Sequence, residues 1–257
     1  MSDVLVSQFV LYVMLFVRLG TMVAVAPVFG HEAVPPQVKI AFALFLSLAF
    51  FPLASKLTPP LLQNHFLSLI LLVFQEAVVG MLIGFAVSII FYGAMLAGEF
   101  IAFNMGLGFA HFFDPSVGQS VTVLSRFFHL ISFLVFLSIN GHHFVLEALQ
   151  LSYGTVPIGG ITFSQSVYTE MLSLSKTMFI VAVKIAAPAV VAMFLTNVVL
   201  AILSRVVPQM NIFIVGFPLQ ITVGLLVLYV VSPLMVVVFK KLLLDFEENL
   251  FELVRAM

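Results

Sequence analysis

The side chains best placed to do chemistry in this sequence are the few ionisable ones set inside apolar runs: Arg18, Glu76, Glu99, Arg126 and Lys184. A charge at the bilayer centre costs about 2.5–3.5 kcal/mol on insertion scales, so each must snorkel, pair or face a polar path. Glu76, Glu99, Arg126 and Lys184 could in principle line the coupling path of a secondary transporter, although no inverted internal repeat accompanies them. His142 and His143 are adjacent, and neighbouring residues cannot turn both rings to one helix face, so they are weak metal ligands. His31, His65, His111 and His129 lack ligand spacing altogether. No Ser/His/Asp set, paired-carboxylate motif or phosphate-cradling loop stands out, so the reading is of no enzyme and no cofactor.

The elements that position these groups are membrane helices. The chain of 257 residues is 63% hydrophobic and 8% charged, against roughly 25% charged residues in an ordinary soluble domain. Its mean hydropathy is +1.25. These values describe an all-α integral membrane protein. A formal charge of -1 offers no basic field for nucleic acid. With no cysteine there is no disulfide, thiol nucleophile or thiolate-bound metal. The 29 phenylalanines beside no tryptophan assign the aromatic content to packing rather than to an interfacial belt.

Residues 104–118, Asn-Met-Gly-Leu-Gly-Phe-Ala-His-Phe-Phe-Asp-Pro-Ser-Val-Gly, separate two long apolar segments. Gly106, Gly108 and Pro115 break helices and permit turns, and Asp114 precedes the proline. Phe109, Phe112 and Phe113 are bulky for a solvated loop. Non-helical backbone at membrane depth must be shielded by protein or line a water-filled cavity. One reading is a loop facing the inside of a channel; the other is a continuing helix whose phenylalanines pack in a core.

Asp3 stands where a cleavable signal would carry positive charge, so the first helix is expected to be retained. Arg18 near its end is read as snorkelling, with a functional or inter-subunit partner as the alternative. The apolar run 40–53 looks short for a span of about twenty residues. The run from 66 to 103 looks far too long for one, and must kink, tilt or leave the membrane. Gly80 and Gly84 form a GxxxG face, and Ala94 with Gly98 repeats the small-residue spacing, both permitting close approach of other helices. Asn140-Gly-His142 marks a break after the Arg126 segment, and 153–160 reads as a turn-rich connection. Val167, Met171, Leu174 and Met178 recur at helical spacing. Lys184 is assigned to a neighbouring helix, and Arg205 to the polar connection between two long arms of a hairpin, the second interrupted at Gly216-Phe-Pro218.

In the tail, 239–257, Phe239, Leu243, Phe246, Leu250, Leu253 and Met257 recur every three or four residues, with Asp245, Glu248, Glu252 and Arg255 elsewhere. That stripe is expected to dock on a partner protein. Lys240 and Lys241 suggest a cytoplasmic C-terminus by the positive-inside rule.

Arg18-Leu-Gly, Ala26-Pro-Val-Phe-Gly30, Gln75-Glu76, Ala97-Gly-Glu99, Asn104-Met-Gly-Leu-Gly-Phe109, Asp114-Pro115, Asn140-Gly-His142 and Pro208-Gln-Met-Asn-Ile-Phe213 through Gly216-Phe-Pro218 together resemble the FliR family. These are membrane proteins of the flagellar type III export gate, related to gate subunits of virulence injectisomes. The Asn-Gly-His segment and the length resemble the flagellar branch more than the injectisome one. The resemblance implies a FliP-like portion over 1–160 fused to a FliQ-like hairpin over 161–257. It further implies partners FliP and FliQ in several copies, FlhB and FlhA, in the inner membrane at the flagellar basal body, with unfolded export substrates as cargo. Residues 104–118 would plug the closed channel. Arg18, Glu76, Gly80, Gly84, Gly98, Glu99, Arg126, Lys184 and Arg205 would make helix-packing and inter-subunit contacts, and Leu243, Phe246, Leu250 and Leu253 would form the docking tail.

Overall fold

The computed structural model describes residues 2–27, 30, 34–54, 66–107, 121–162, 164–209 and 211–257, and these form seven α-helices with no strand. They are α1 (Ser2–Val25), α2 (Pro36–Ala54), α3 (Phe66–Asn104), α4 (Val123–Ser138), α5 (Gly141–Thr155), α6 (Gln165–Val206) and α7 (Ile212–Ala256). Five of them contain stretches long and apolar enough to cross a membrane: Val6–Val25, Pro36–Leu53, Leu67–Asn104, Gln165–Val206 and Ile214–Ala256.

Several boundaries follow from local chemistry. α2 has 19 residues, a full span where the apolar run alone looked short. It starts at Pro36, whose missing N–H is harmless in a first turn. Lys39 fits within it because its Nζ donates to the Gly30 carbonyl at 2.7 Å. Asn140 adopts φ 58°, and this left-handed residue separates α4 from α5 where the sequence placed a break. Tyr153, Gly154 and Thr155, read as part of a turn, are instead the last residues of α5. The Gly216-Phe-Pro218 interruption is absent: Pro218 and Pro233 both lie inside α7. Proline leaves the carbonyl four residues earlier without its N–H. At Pro233 that carbonyl is Tyr229, and the Ser232 hydroxyl donates to it at 3.0 Å.

Hydroxyls commonly turn back onto their own helix in this way. Ser47 donates to Leu44 O, Thr196 to Ala192 O, Ser204 to Ala201 O and Thr222 to Pro218 O, at 2.6–2.9 Å. Each polar group thus finds an acceptor without leaving an apolar helix surface.

The chain divides into two compact units interleaved in sequence: Met1–Ile89 with Asn140–Ser175 and Asp245–Met257, and Ile90–Ile139 with Lys176–Leu244. In the first, α1 lies along α3 at the GxxxG face. A Cβ on Gly80 would collide with the Arg18 carbonyl and the Thr21 hydroxyl, and one on Gly84 would come within 2.9 Å of Met22 O. The GxxxG glycines thus serve the close helix approach expected of them, and the helix they admit is α1 of the same chain. Ser88 extends this contact by donating to Val25 O at 3.0 Å. Leu11, Met14 and Ile158 form a small core with Val10, Phe51, Leu69, Leu72 and Val73 packed around it.

In the second unit Gly98 serves the first turn of α4, its hypothetical Cβ falling 2.6 Å from Ser125 Cα. Gly93 admits α6, with Met178 O at 3.0 Å. Phe91, wholly buried, meets Phe136 edge-on at 5.3 Å.

Backbone at these contacts cannot yield as a side chain would. Gly80→Leu or Gly98→Leu is expected to destabilise by more than the roughly 1–3 kcal/mol of ordinary overpacking, read as loss of protease-resistant protein after detergent extraction. Gly154 is the control: nothing lies within 4 Å of its Cβ position, so Gly154→Ala should raise stability by about 0.5–1 kcal/mol as a helix-interior glycine replacement.

Candidate functional site

Arg18 has no exposed surface and Glu76 only 1%. The two run through the first unit as a bidentate pair: Arg18 Nε donates to Glu76 Oε2 at 2.7 Å and an Nη to Oε1 at 3.1 Å. The remaining guanidinium donors turn to the end of α5, reaching Ser152 O at 3.0 Å, Ser152 Oγ at 3.3 Å and Val156 O at 3.2 Å. A helix C-terminus is where carbonyls lack partners and where the backbone dipole favours a cation. Glu76 Oε1 also accepts from the Gly159 N–H at 3.0 Å, in the turn after α5. The Tyr153 ring lies beneath the guanidinium, 4.6 Å from its carbon. Four segments meet at one charge pair: α1, α3, the end of α5 and residues 156–159.

This corrects the snorkelling reading of Arg18 and the inter-subunit reading of Arg18 and Glu76. The guanidinium is buried within its own unit, where a partner 58 positions away neutralises it. With every guanidinium nitrogen and both carboxylate oxygens bonded to other segments, what the site does is fix helices. Tyr153, Val156 and Gly159 were missed because 153–160 read as a connection, and Ser152 because it directly precedes it. The available signal was an Arg alone in the first apolar run and a Glu near the start of the third, opposite charges with no partner inside their own helices.

A second polar junction lies in the other unit. Glu99, half-buried, accepts from Thr122 N at 2.9 Å and Thr122 Oγ1 at 3.2 Å. Thr122 in turn caps α4 by accepting from Ser125 N at 3.2 Å. A carboxylate here complements the positive end of α4.

The other sequence-derived positions scatter. Arg126, Lys184 and Arg205 are exposed on α4 and α6, and Glu99 is bonded to Thr122, so Glu76, Glu99, Arg126 and Lys184 make no shared path among the described residues. The rings of His142 and His143 lie 4.3 Å apart, and among the described residues no set of three metal-ligating side chains forms around them. Gly106 is described, with φ 78°. Gly108, Phe109, Phe112, Phe113, Asp114 and Pro115 lie outside the described residues.

The tail requires a correction. Its stripe of Phe239, Leu243, Phe246, Leu250, Leu253 and Met257 has the expected spacing, but the chain itself covers all six. The end of α7 is tied to the beginning of α6: Thr162 Oγ1 donates to Met257 O at 3.1 Å and Ser164 Oγ to Ala256 O at 3.2 Å. Thr155 Oγ1 reaches Val254 O at 3.4 Å. Leu243, Phe246, Leu250 and Leu253 are therefore core residues, and the face left open carries Leu244, Asp245, Glu248 and Glu252.

Helices of span length, one internally neutralised ion pair, a hydrogen-bonded carboxylate at a helix start and glycine-mediated contacts define an all-α integral membrane protein. The family described as bacterial export proteins, family 1, matches residues 9–246, and the chain belongs to that family. It is similar to the flagellar biosynthetic protein FliR of Bacillus subtilis (strain 168), 32% identical with 97% of this chain and 98% of that protein covered. The FliR of Escherichia coli (strain K12) is 30% identical, covering 91% and 88% of the two chains. That of Aquifex aeolicus (strain VF5) is 30% identical over 96% and 95%.

Removing one member of a buried pair strands the other. Arg18→Ala or Glu76→Leu should each cost about 3–5 kcal/mol, whereas Arg18→Met with Glu76→Leu should cost less than either alone. Thermal unfolding followed by circular dichroism in detergent checks the order. Phe246→Asp is expected to lower the same midpoint, since its side chain sits in the chain's own core.

Proposed function

We propose that the chain is a structural, channel-forming subunit of the flagellar type III protein export gate in the bacterial inner membrane. It assembles with several copies of FliP and FliQ, engages FlhB near FlhA, and passes unfolded flagellar substrates. In this reading residues 1–160 are the FliP-like portion and 161–257 the FliQ-like hairpin, and the aromatic segment 104–118 closes the pore.

The observation that carries the assembly is the mismatch between the length of the hairpin and what covers it. α6 and α7 have 42 and 45 residues, about 63 and 68 Å at 1.5 Å per residue, more than twice a hydrocarbon core of roughly 30 Å. Yet only 11% of the most apolar part of α7 is buried in its own chain. Apolar surface extending beyond the bilayer needs other protein, and side chains such as Phe194, Leu195, Leu225, Leu226 and Val230 are exposed to receive it. Similarity to flagellar proteins over nearly the full chain points to which assembly that is.

For pore closure the support is compositional: three phenylalanines within five residues, flanked by glycine and proline, suit a hydrophobic constriction that blocks ions by dewetting. Replacing Phe109, Phe112 and Phe113 together by alanine is expected to leave the complex recoverable with FliP and FliQ while membrane conductance to small ions rises. A core-packing role predicts failed assembly instead, since each buried Phe→Ala costs about 3–5 kcal/mol. An assembled mutant as tight as the parent removes the closing role.

A further inference from the structure

We infer that Gly224 is a positioning residue: with Phe217 it forms a seat on α7 that receives Met105 and Gly106 and so fixes where the chain leaves α3. The inference rests on the proposed role of the segment 104–118, at whose start Met105 and Gly106 lie.

The contact is close, and at each glycine the backbone of one segment meets a side chain of the other. A Cβ on Gly224 would lie 2.6 Å from Met105 Cε and Cγ and 2.7 Å from its sulfur, so the Met105 side chain occupies the space that any other residue would fill. Met105 has no exposed surface, so a Cβ at Gly224 would have to push its thioether into a new position inside the packed interior. The next residue, Gly106, turns the chain out of the helix at φ 78°, with its N–H bonded to Phe103 O at 3.1 Å. A Cβ there would stand 3.0 Å from two ring atoms of Phe217 and 3.3 Å from Gln220 Oε1. Gln220 is itself held, its Nε2 donating to Asn197 Oδ1 at 2.6 Å across to α6. Both requirements for glycine, the left-handed backbone and the absent Cβ, thus converge at one turn.

Met105, Gly106, Phe217, Gln220 and Gly224 lie at intervals that put the α7 members on one face, three and four residues apart. The seat acts as a register mark: α3 ends at one height on α7, and the exit direction is set before the aromatic residues begin. Substitution at the seat should re-aim the following segment without touching it.

The absence of cysteine makes this measurable, because a single Ala110→Cys provides a unique label. In the assembled complex, the rate of reaction with a membrane-impermeant maleimide is compared between Ala110→Cys alone and with Gly224→Ala added. The expected change is about tenfold, the size of equilibrium shift that overpacking a buried contact by one carbon brings, and Met105→Ala on the Gly224→Ala background should return the rate toward the parent. An unchanged rate in assembled Gly224→Ala overturns the seat. If that variant does not assemble, Phe217→Leu, which removes part of the ring facing Gly106 without adding an atom, makes the same comparison; failure of both to assemble assigns these residues to the core and overturns the positioning role. A changed rate with parental conductance keeps the seat and removes pore closure from the segment.

Discussion

An arginine with no exposed surface, in a protein of which 8% of residues are charged, constrains everything packed around it. Its charge is tolerable only because Glu76 meets it in bidentate geometry and because helix-end carbonyls take the remaining donors. Those acceptors come from segments far apart in sequence, so the pair is satisfied only when α1, α3 and the end of α5 are all in place. The energetic asymmetry matters more than the net value. An apolar replacement of both partners costs little, while loss of one leaves a charge stranded in the interior.

Small residues let the same helices approach near enough for these bonds to form. With Gly80 against the Arg18 carbonyl, α1 and α3 touch by backbone, which brings Arg18 within reach of Glu76 one turn earlier on α3. Gly98 and Glu99 repeat the device at α4, where the glycine admits the helix and the neighbouring carboxylate holds its first turn. Close approach and polar satisfaction are thus supplied by adjacent or nearly adjacent residues of one helix.

Membrane class, the all-α character and the break at Asn140 were legible in the sequence because they depend on local signals: apolar length, glycine and asparagine. The amphipathic stripe of the tail was legible for the same reason, since period is a property of one helix. What covers that stripe was not, because burial depends on residues 155–167 arriving beside it. Arg18 shows the same divide. Its cost was evident from hydropathy, but its partner lies 58 residues away, and only a shared depth in the fold joins them. The Gly-Phe-Pro motif misled in the opposite direction: a proline in a long apolar helix can be accommodated when a hydroxyl takes its orphaned carbonyl, as Ser232 does at Pro233.

The back-bonded hydroxyls of α2, α6 and α7 have a consequence for what may surround them. A serine or threonine that already donates within its own helix asks nothing of its environment, so lipid, a neighbouring helix and water become nearly interchangeable at that point. Exchange of one for another then breaks no hydroxyl hydrogen bond and leaves only apolar contact to be traded. A helix surface of apolar and back-bonded hydroxyl groups can therefore trade lipid for protein after insertion with no hydroxyl left unpaired, and on α6 the exposed Lys184 and Arg205 are the points at which that exchange carries a polar cost.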